Sequence, residues 1–264
     1  MTTQFMRALT QSFALACIGL ALAGCANLEK PSDAKSAATE VSAENAQPSQ
    51  TISVAKPVKA KQKIEVSSDP PADIWVRIRQ GFAMPDLEND LVKDREEWYA
   101  ARPDYMVRMT ERSRKYLFHI VEELERRNMP TELALLPFIE SAFNPEAVSS
   151  AKAAGMWQFM PATGKYFDLK QNMFRDERRG VVESTRAALD YLQKLYGMFG
   201  DWHLALAAYN WGEGSVSRAL AKNKAAGLGL TYSDLNMPTE TRYYVPKLQA
   251  VKNIIAQPQS FNAR

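Results

Sequence analysis

The composition of the chain changes sharply near residue 73. Residues 26–72 contain no aromatic side chain and are rich in Ala, Ser, Lys, Glu, Pro and Gln. Such a stretch cannot bury enough apolar surface to offset the conformational entropy that folding removes. We therefore expect residues 25–72 to form a flexible tether, residues 73–256 to form the folded domain, and residues 257–264 to form a short tail.

A short apolar run near the N-terminus predicts export. It covers residues 13–22, too few to span a bilayer, and leads into Leu-Ala-Gly-Cys at 22–25. This tetrapeptide resembles the lipobox of bacterial lipoproteins, so residues 1–24 would be a signal peptide and Cys25 would carry lipid. An ordinary signal peptide with an incidental cysteine is the alternative. Because Ala follows Cys25, the resemblance to Gram-negative lipoproteins implies an outer-membrane anchor facing the periplasm.

Composition argues against several classes of function. The 264 residues are 46% hydrophobic and 24% charged, which is ordinary globular usage. The net charge of +3 and the lack of a dense basic patch argue against nucleic acid as a partner. Both cysteines precede residue 26, and no common metal-ligand or phosphate-binding motif is present. We expect no disulfide in the folded domain, no metal and no cofactor.

Hydrophobic spacing in the folded part predicts helices and hardly any strands. The predicted helices cover residues 105–128, 132–141, 184–199, 202–210 and 241–255. Thr131 is the expected N-cap of the second helix. The apolar face of the first helix, which includes Leu124, is expected to pack under the helix that carries Glu140.

Glu140 lies inside an apolar run, Leu-Pro-Phe-Ile-Glu-Ser-Ala-Phe at 136–143. Burial raises the pKa of a carboxyl group because it penalises the charged form. A Glu that stays protonated at neutral pH can act as a general acid. The alternative is an ordinary Glu that caps its helix or reaches solvent.

Two other segments carry amide and aromatic side chains. Gln158 stands between Trp157 and Phe159, and it either orients a polar ligand group or is a surface amide on a helix. In the first case the two aromatic rings supply flat packing surface or core. Tyr209 and Asn210 end a predicted helix, either as cleft residues or as its C-cap.

Further candidates are less distinct. Tyr243 and Tyr244 open the last predicted helix, and spacing alone does not separate a core from a surface role for them. A glycosidase with two carboxylates would need a partner for Glu140. The other carboxylates near these segments are interpreted as solvated or capping residues; they are Glu146, Asp176, Glu177 and Glu213.

Taken together, four segments resemble the lytic transglycosylase domain related to goose-type lysozyme. They are Glu-Ser at 140–141, Gly-Met-Trp-Gln at 155–158, Ala-Tyr-Asn at 208–210 and Glu-Thr-Arg-Tyr-Tyr-Val-Pro at 240–246. Each is weak alone, and their order and separations carry the resemblance. It implies a mainly α, lysozyme-like domain with a cleft between helical lobes.

The resemblance also implies a reaction and a site. The family cleaves the MurNAc-β-1,4-GlcNAc bond of peptidoglycan and forms 1,6-anhydro-MurNAc, with one Glu, here Glu140, as acid and then base. The residues that match the family's groove are Ser141, Gln158, Tyr209, Asn210 and Tyr244. We expect a monomer whose partners are peptidoglycan strands and, through lipid, the outer membrane. A lysozyme-like hydrolase and a non-catalytic, lipid-anchored peptidoglycan-binding protein are the alternatives.

Overall fold

The computed structural model describes residues 73–261, which are built from helices and connecting loops. In chain order the α-helices are α1 Ile74–Gln80, α2 Asp90–Ala100, α3 Pro103–Ser113, α4 Leu117–Arg126, α5 Leu136–Ser141, α6 Pro161–Tyr166, α7 Val181–Phe199, α8 Trp202–Trp211, α9 Glu213–Ala225, α10 Thr239–Arg242 and α11 Tyr244–Ala256. Short 3₁₀ helices cover Thr131–Leu135, Tyr232–Asp234 and Pro258–Phe261. Across this range β pairing is limited to isolated antiparallel bridges, so the mainly α prediction is confirmed.

The predicted signal peptide, Cys25 and the tether lie outside the described residues. Within residues 73–261, every helix falls short of the length or the apolar character needed to cross a bilayer.

The prediction of one helix over 105–128 is wrong, because the chain turns between α3 and α4. The Tyr116 N–H donates to the Ser113 carbonyl at 2.8 Å and closes a tight turn. The Tyr116 ring also stacks parallel to Phe143, with centroids 6.4 Å apart. The turn lets each helix aim its own apolar face at the core, which buries Met106 and Met109 of α3 and Leu117, Ile120, Val121 and Leu124 of α4.

The prediction that the helix with Leu124 packs under the helix of Glu140 is only partly right. Leu124 is fully buried, as predicted. However, α4 packs mainly on the 3₁₀ helix Thr131–Leu135 and on α7. It therefore supports the segment that leads into the helix of Glu140 more than that helix itself.

The predicted helix 132–141 is also divided, into the 3₁₀ helix Thr131–Leu135 and α5. Thr131 is not an N-cap, because its hydroxyl donates to the Ile78 carbonyl at 2.6 Å and ties this segment to α1. Pro137 falls in the first turn of α5. The N–H group that proline lacks would have no intrahelical partner at this position. Pro137 therefore helps to begin α5 and does not bend a longer helix.

The helices α7 and α8 follow their predictions closely. Gly200 ends α7 in the left-handed region, with φ at 66°. The Asp201 carboxylate then accepts a hydrogen bond from the Leu204 N–H at 2.8 Å, which caps the start of α8. The two helices pack against each other and form much of the core.

The last predicted helix is interrupted at Tyr243, which separates α10 from α11. Tyr244 is consequently the first residue of α11, and Pro246 sits in the first turn, where it is tolerated. α11 packs on α2, α5 and α8. This packing places the start of α11 beside the end of α5.

A buried carboxylate anchors the middle of α11. Glu132 is 1% exposed and accepts hydrogen bonds from the backbone N–H groups of Ala83 and Met84. It also pairs with Lys252 of α11 at 3.2 Å. A buried charge needs such partners, so these contacts fix α11 against the 3₁₀ helix that precedes α5.

We predict that Leu124→Asp unfolds the domain, because it places an unpaired charge in a fully buried position, at a cost of about 3–5 kcal/mol. Thermal unfolding followed by circular dichroism measures the effect. Phe118→Asp is the matched control on the same helix, because Phe118 is 52% exposed. A Leu124→Asp melting temperature within about two degrees of wild type would contradict this account of the core.

Candidate active site

Glu140 lies near the C-terminal end of α5, and the backbone after it is held in an unusual conformation. Ala142 and Phe143 both have positive φ, at 50° and 55°. Two consecutive non-glycine residues in the left-handed region are strained and need support from their surroundings. Phe143 supplies it, because its ring is 1% exposed and packs edge-on against Phe138 at 4.7 Å. The end of α5 is therefore fixed by the core.

The carboxyl group of Glu140 has a phenol beside it. The Tyr244 hydroxyl donates a hydrogen bond to Glu140 Oε1, and among the described residues no cation pairs with Glu140. Burial raises the pKa of Glu140 to about 7. The Tyr244 hydrogen bond opposes that rise, the charge of Glu240 adds to it, and the charge of Lys247 slightly lowers the pKa. Glu140 is thus poised to hold or release a proton near neutral pH.

Ser141 joins α5 to the loop that carries Gln158. The Ser141 hydroxyl donates to the Met156 carbonyl at 2.9 Å and accepts from the Asn144 N–H at 3.2 Å. Gln158 lies in this loop, with φ at 50°, so the helix-surface interpretation of it is wrong. Its amide N–H donates to the Gly155 carbonyl at 2.8 Å, which orients the side chain.

Gly155 is required by a close approach of two backbones. Its φ is 85°, and a Cβ at this position would lie 1.8 Å from the Arg178 carbonyl oxygen. Trp157 is fully buried and donates its indole N–H to Thr185 of α7 at 3.1 Å, and Phe159 is 2% exposed. Both aromatic side chains belong to the core, so of the two roles left open for them, core packing is the one observed.

Tyr209 and Asn210 lie on the last turn of α8. The Tyr209 hydroxyl donates to the Trp157 carbonyl at 2.9 Å. Asn210 Oδ1 accepts from the Thr241 hydroxyl at 2.8 Å. The cap of α8 is Gly212, with φ at 92°, so Asn210 is not the capping residue. Burial is the main cause that raises the pKa of Tyr209 well above its ordinary value, and the charge of the nearby Glu140 adds to the rise. The Tyr209 hydroxyl therefore stays protonated.

A cavity of about 230 Å³ adjoins these residues. Three of the predicted site residues line it, Gln158, Tyr209 and Asn210. The other three, Glu140, Ser141 and Tyr244, are connected to the same loop or to each other by the hydrogen bonds described above. A more apolar cavity of about 340 Å³ between α1, α3 and α11 contains none of the six.

Two aromatic residues, Tyr191 and Trp211, are among the residues lining the 230 Å³ cavity that were not predicted. Tyr191 of α7 lines it, and burial raises the pKa of its phenol to about 12. Trp211 lines it directly after Asn210. Tyr191 shares its spacing with core residues of α7 and gives no signal in the sequence, whereas Trp211 is adjacent to a predicted site residue and could have been inferred.

The other candidate carboxylates are each held by a cation. The partners are Arg179 for Glu146 at 2.9 Å, Arg178 for Asp176 at 2.7 Å, Arg175 for Glu177 at 2.9 Å and Lys194 for Glu213 at 2.8 Å. In contrast to these four carboxylates, Glu140 forms no ion pair with any described residue. Over residues 73–261, no three His, Cys, Asp or Glu side chains come together in a way that could hold a metal ion.

A helical domain with a half-buried Glu of raised pKa near an aromatic and amide-lined cavity is of the lysozyme-like class. Residues 119–228 match the transglycosylase SLT domain family. The chain therefore carries a transglycosylase SLT domain, which confirms the predicted resemblance to lytic transglycosylases and the lysozyme-like fold class.

Two of the similar proteins are named lytic transglycosylases. The chain is 43% identical, over 196 residues, to membrane-bound lytic murein transglycosylase D of Escherichia coli strain K12, and the same holds for the protein of that name from E. coli O6:H1 strain CFT073. These matches cover 74% of the chain and 43% of each relative, so the chain spans less than half of their length. A putative tributyltin chloride resistance protein of Alteromonas sp. strain M-1 is 50% identical over 117 residues, which is 43% of the chain and 56% of that protein.

We predict that Tyr244→Phe raises the pKa of Glu140 above its value of about 7, because the lost hydroxyl stabilises the charged carboxylate. The pH titration of the Glu140 carboxyl carbon by NMR measures this directly. Tyr232→Phe is the matched control, since the buried Tyr232 hydroxyl donates to the Thr241 carbonyl and not to Glu140. An unchanged or lower pKa in Tyr244→Phe would show that this hydrogen bond does not tune the acid.

Proposed function

We propose that the protein is a peptidoglycan lytic transglycosylase that cleaves the MurNAc-β-1,4-GlcNAc bond and forms 1,6-anhydro-MurNAc. The observation that carries the proposal is the state of Glu140, a carboxyl group with its pKa raised to about 7 and, among the described residues, with no cation in an ion pair with it. A large part of its population is protonated at neutral pH, and this fraction rises as the pH falls. The family match and the cavity beside Gln158 and Asn210 support the same assignment.

Glu140 would act first as an acid and then as a base. The protonated carboxyl group donates its proton to the oxygen that bridges the two sugars, and the bond to the muramic acid anomeric carbon breaks. The acetamido group of the substrate stabilises that carbon, as in glycosidases that use substrate assistance. The Glu140 carboxylate then removes the proton of the C6 hydroxyl, whose oxygen closes the anhydro ring.

This scheme needs one carboxyl group only. The C6 hydroxyl belongs to the same sugar as the reacting carbon, so its attack is intramolecular and has a large advantage over attack by water. A second carboxylate that activates water is not required. The ion pairs of Glu146, Asp176, Glu177 and Glu213 agree with this scheme.

The remaining predicted residues are proposed as the groove around this acid. Tyr244 holds the Glu140 carboxyl group in place and keeps its own proton, because burial and the neighbouring carboxylate raise the pKa of Tyr244 well above the ordinary range. Gln158 and Asn210 offer amide groups to sugar hydroxyl and acetamido groups. Ser141 and Tyr209 fix the loop between them.

Glu140→Gln is expected to keep the fold and to lower product release from purified sacculi by at least about 100-fold, since an amide cannot transfer the proton. Mass spectrometry of the released muropeptides identifies the reaction, because reducing-end muramic acid is one water molecule heavier than the anhydro form. Glu146→Gln, a surface carboxylate bound to Arg179, is the control and keeps its activity.

Three outcomes of this experiment would contradict the proposal. Full activity of Glu140→Gln removes the acid assignment. Products with mainly reducing ends identify a lysozyme-like hydrolase. Binding of wild-type protein to sacculi without any release identifies a non-catalytic wall-binding protein.

We also propose that the protein is lipid-anchored in the outer membrane and faces the periplasm. Residues 1–24 would be a signal peptide, Cys25 the lipidated residue, residues 25–72 the tether to the domain at 73–256, and 257–264 a tail. Support comes from the Leu-Ala-Gly-Cys sequence at 22–25 and from the name of the E. coli relatives, which describes those proteins as membrane-bound.

Cys25→Ser is expected to abolish labelling by radioactive palmitate in a Gram-negative host and to release the protein from the membrane fraction. Cys17→Ser is the control, since Cys17 would leave with the signal peptide. Palmitate labelling that persists in Cys25→Ser would disprove the anchor.

A further inference from the structure

A second cavity adjoins the one beside Asn210. It has a volume of about 350 Å³ and lies between α9 and the segment that follows it. Trp211 lines both cavities. The two cavities are therefore neighbours on the two sides of one residue, Trp211.

The walls of this second cavity are fixed by hydrogen bonds. Asn223 of α9 is 6% exposed, and its amide donates to the carbonyls of Gly229 and Asp234, both at 2.9 Å. The Thr231 N–H and hydroxyl both donate to the Asp234 carboxylate, at 2.9 and 2.6 Å. The cavity is thus preorganised, which lowers the entropy cost of binding a ligand there.

The lining of the cavity is cationic. Arg218 and Lys222 are exposed, lie one helical turn apart on α9 and both face it. Arg218 contacts the Ser215 hydroxyl at 3.0 Å, and in the described part of the chain neither cation is paired with a carboxylate. Asp234 is the one acidic residue in the lining, and Thr231 already occupies one of its oxygens. The cavity therefore favours an anionic ligand.

Resting on the proposed function, we propose that this cavity is the subsite for the peptide stem of peptidoglycan. Arg218 and Lys222 bind the free carboxylates of the stem, and Trp211 separates stem from glycan. Muramic acid carries a stem on every second sugar of the strand, so a groove longer than one disaccharide must accommodate one. Stem carboxylates are complementary to the two cations, whereas neutral GlcNAc is not.

The test compares two substrates, glycan strands that carry stems and strands from which an amidase has removed them. Arg218→Gln/Lys222→Gln is expected to lower kcat/KM on stem-bearing strands by about 5-fold and to leave stem-free strands within about 2-fold. The loss should shrink as salt is added, because the cations are exposed. Lys224→Gln is the control, an exposed cation of α9 outside the cavity.

The possible results separate this subsite from the proposed function. Equal losses on both substrates would assign the cations to the glycan or to its lactyl groups, whose carboxylates the amidase frees, and would overturn the stem assignment. No loss, or the same loss in Lys224→Gln, would also overturn it.

If wild-type protein cleaves neither substrate, the proposed function fails. Binding of the two strand types to wild type and the double variant, measured by co-sedimentation, then decides the subsite: a stem preference lost in the variant supports it, and no preference overturns it.

Discussion

The site depends on a half-buried carboxyl group that has a phenol beside it and, among the described residues, no ion-pair partner. The contrast with Glu132 shows what this means. Glu132 is as well buried as any residue of the core, but it has two backbone N–H groups and Lys252 as partners. Glu140 has the Tyr244 hydroxyl. Burial with full pairing anchors the structure, whereas burial with partial pairing leaves a proton that can be transferred.

Keeping Glu140 in this state has a cost in stability. Its pKa is raised from 4.5 to about 7, so the folded protein binds a proton more tightly than the unfolded chain does. Stability from this group is therefore fully present below a pH of about 4.5 and is lost as the pH rises toward 7, by about 3 kcal/mol in total. The packing of α11 on α2, α5 and α8 must offset that loss, which explains why the site is built where the core is continuous.

Much of the fold could be predicted from the sequence, and the errors have a common cause. Periodicity located α7, α8 and α11 well, but it does not report turns that preserve the apolar pattern. The break at Tyr116 and the 3₁₀ helix Thr131–Leu135 are set by tertiary contacts, with Phe143 and with Ile78. For the same reason, spacing alone does not decide between a functional and a structural role for Glu140 and Gln158. What distinguishes them, a carboxyl group with a raised pKa and a residue in the left-handed region of a loop, exists only after distant segments have packed together.

The loop from Gly155 to Gln158 connects the two helix ends that carry the site, those of α5 and α8. Its backbone carbonyls accept hydrogen bonds from the Ser141 hydroxyl, at the end of α5, and from the Tyr209 hydroxyl, at the end of α8. Trp157 contributes its carbonyl to the site and its ring to the core, where Thr185 accepts the indole N–H. The aromatic residue of the motif thus acts by holding the loop in place. A rigid loop that binds both helix ends keeps Glu140 and Asn210 at a constant distance, which the proposed general acid catalysis on a glycan would require.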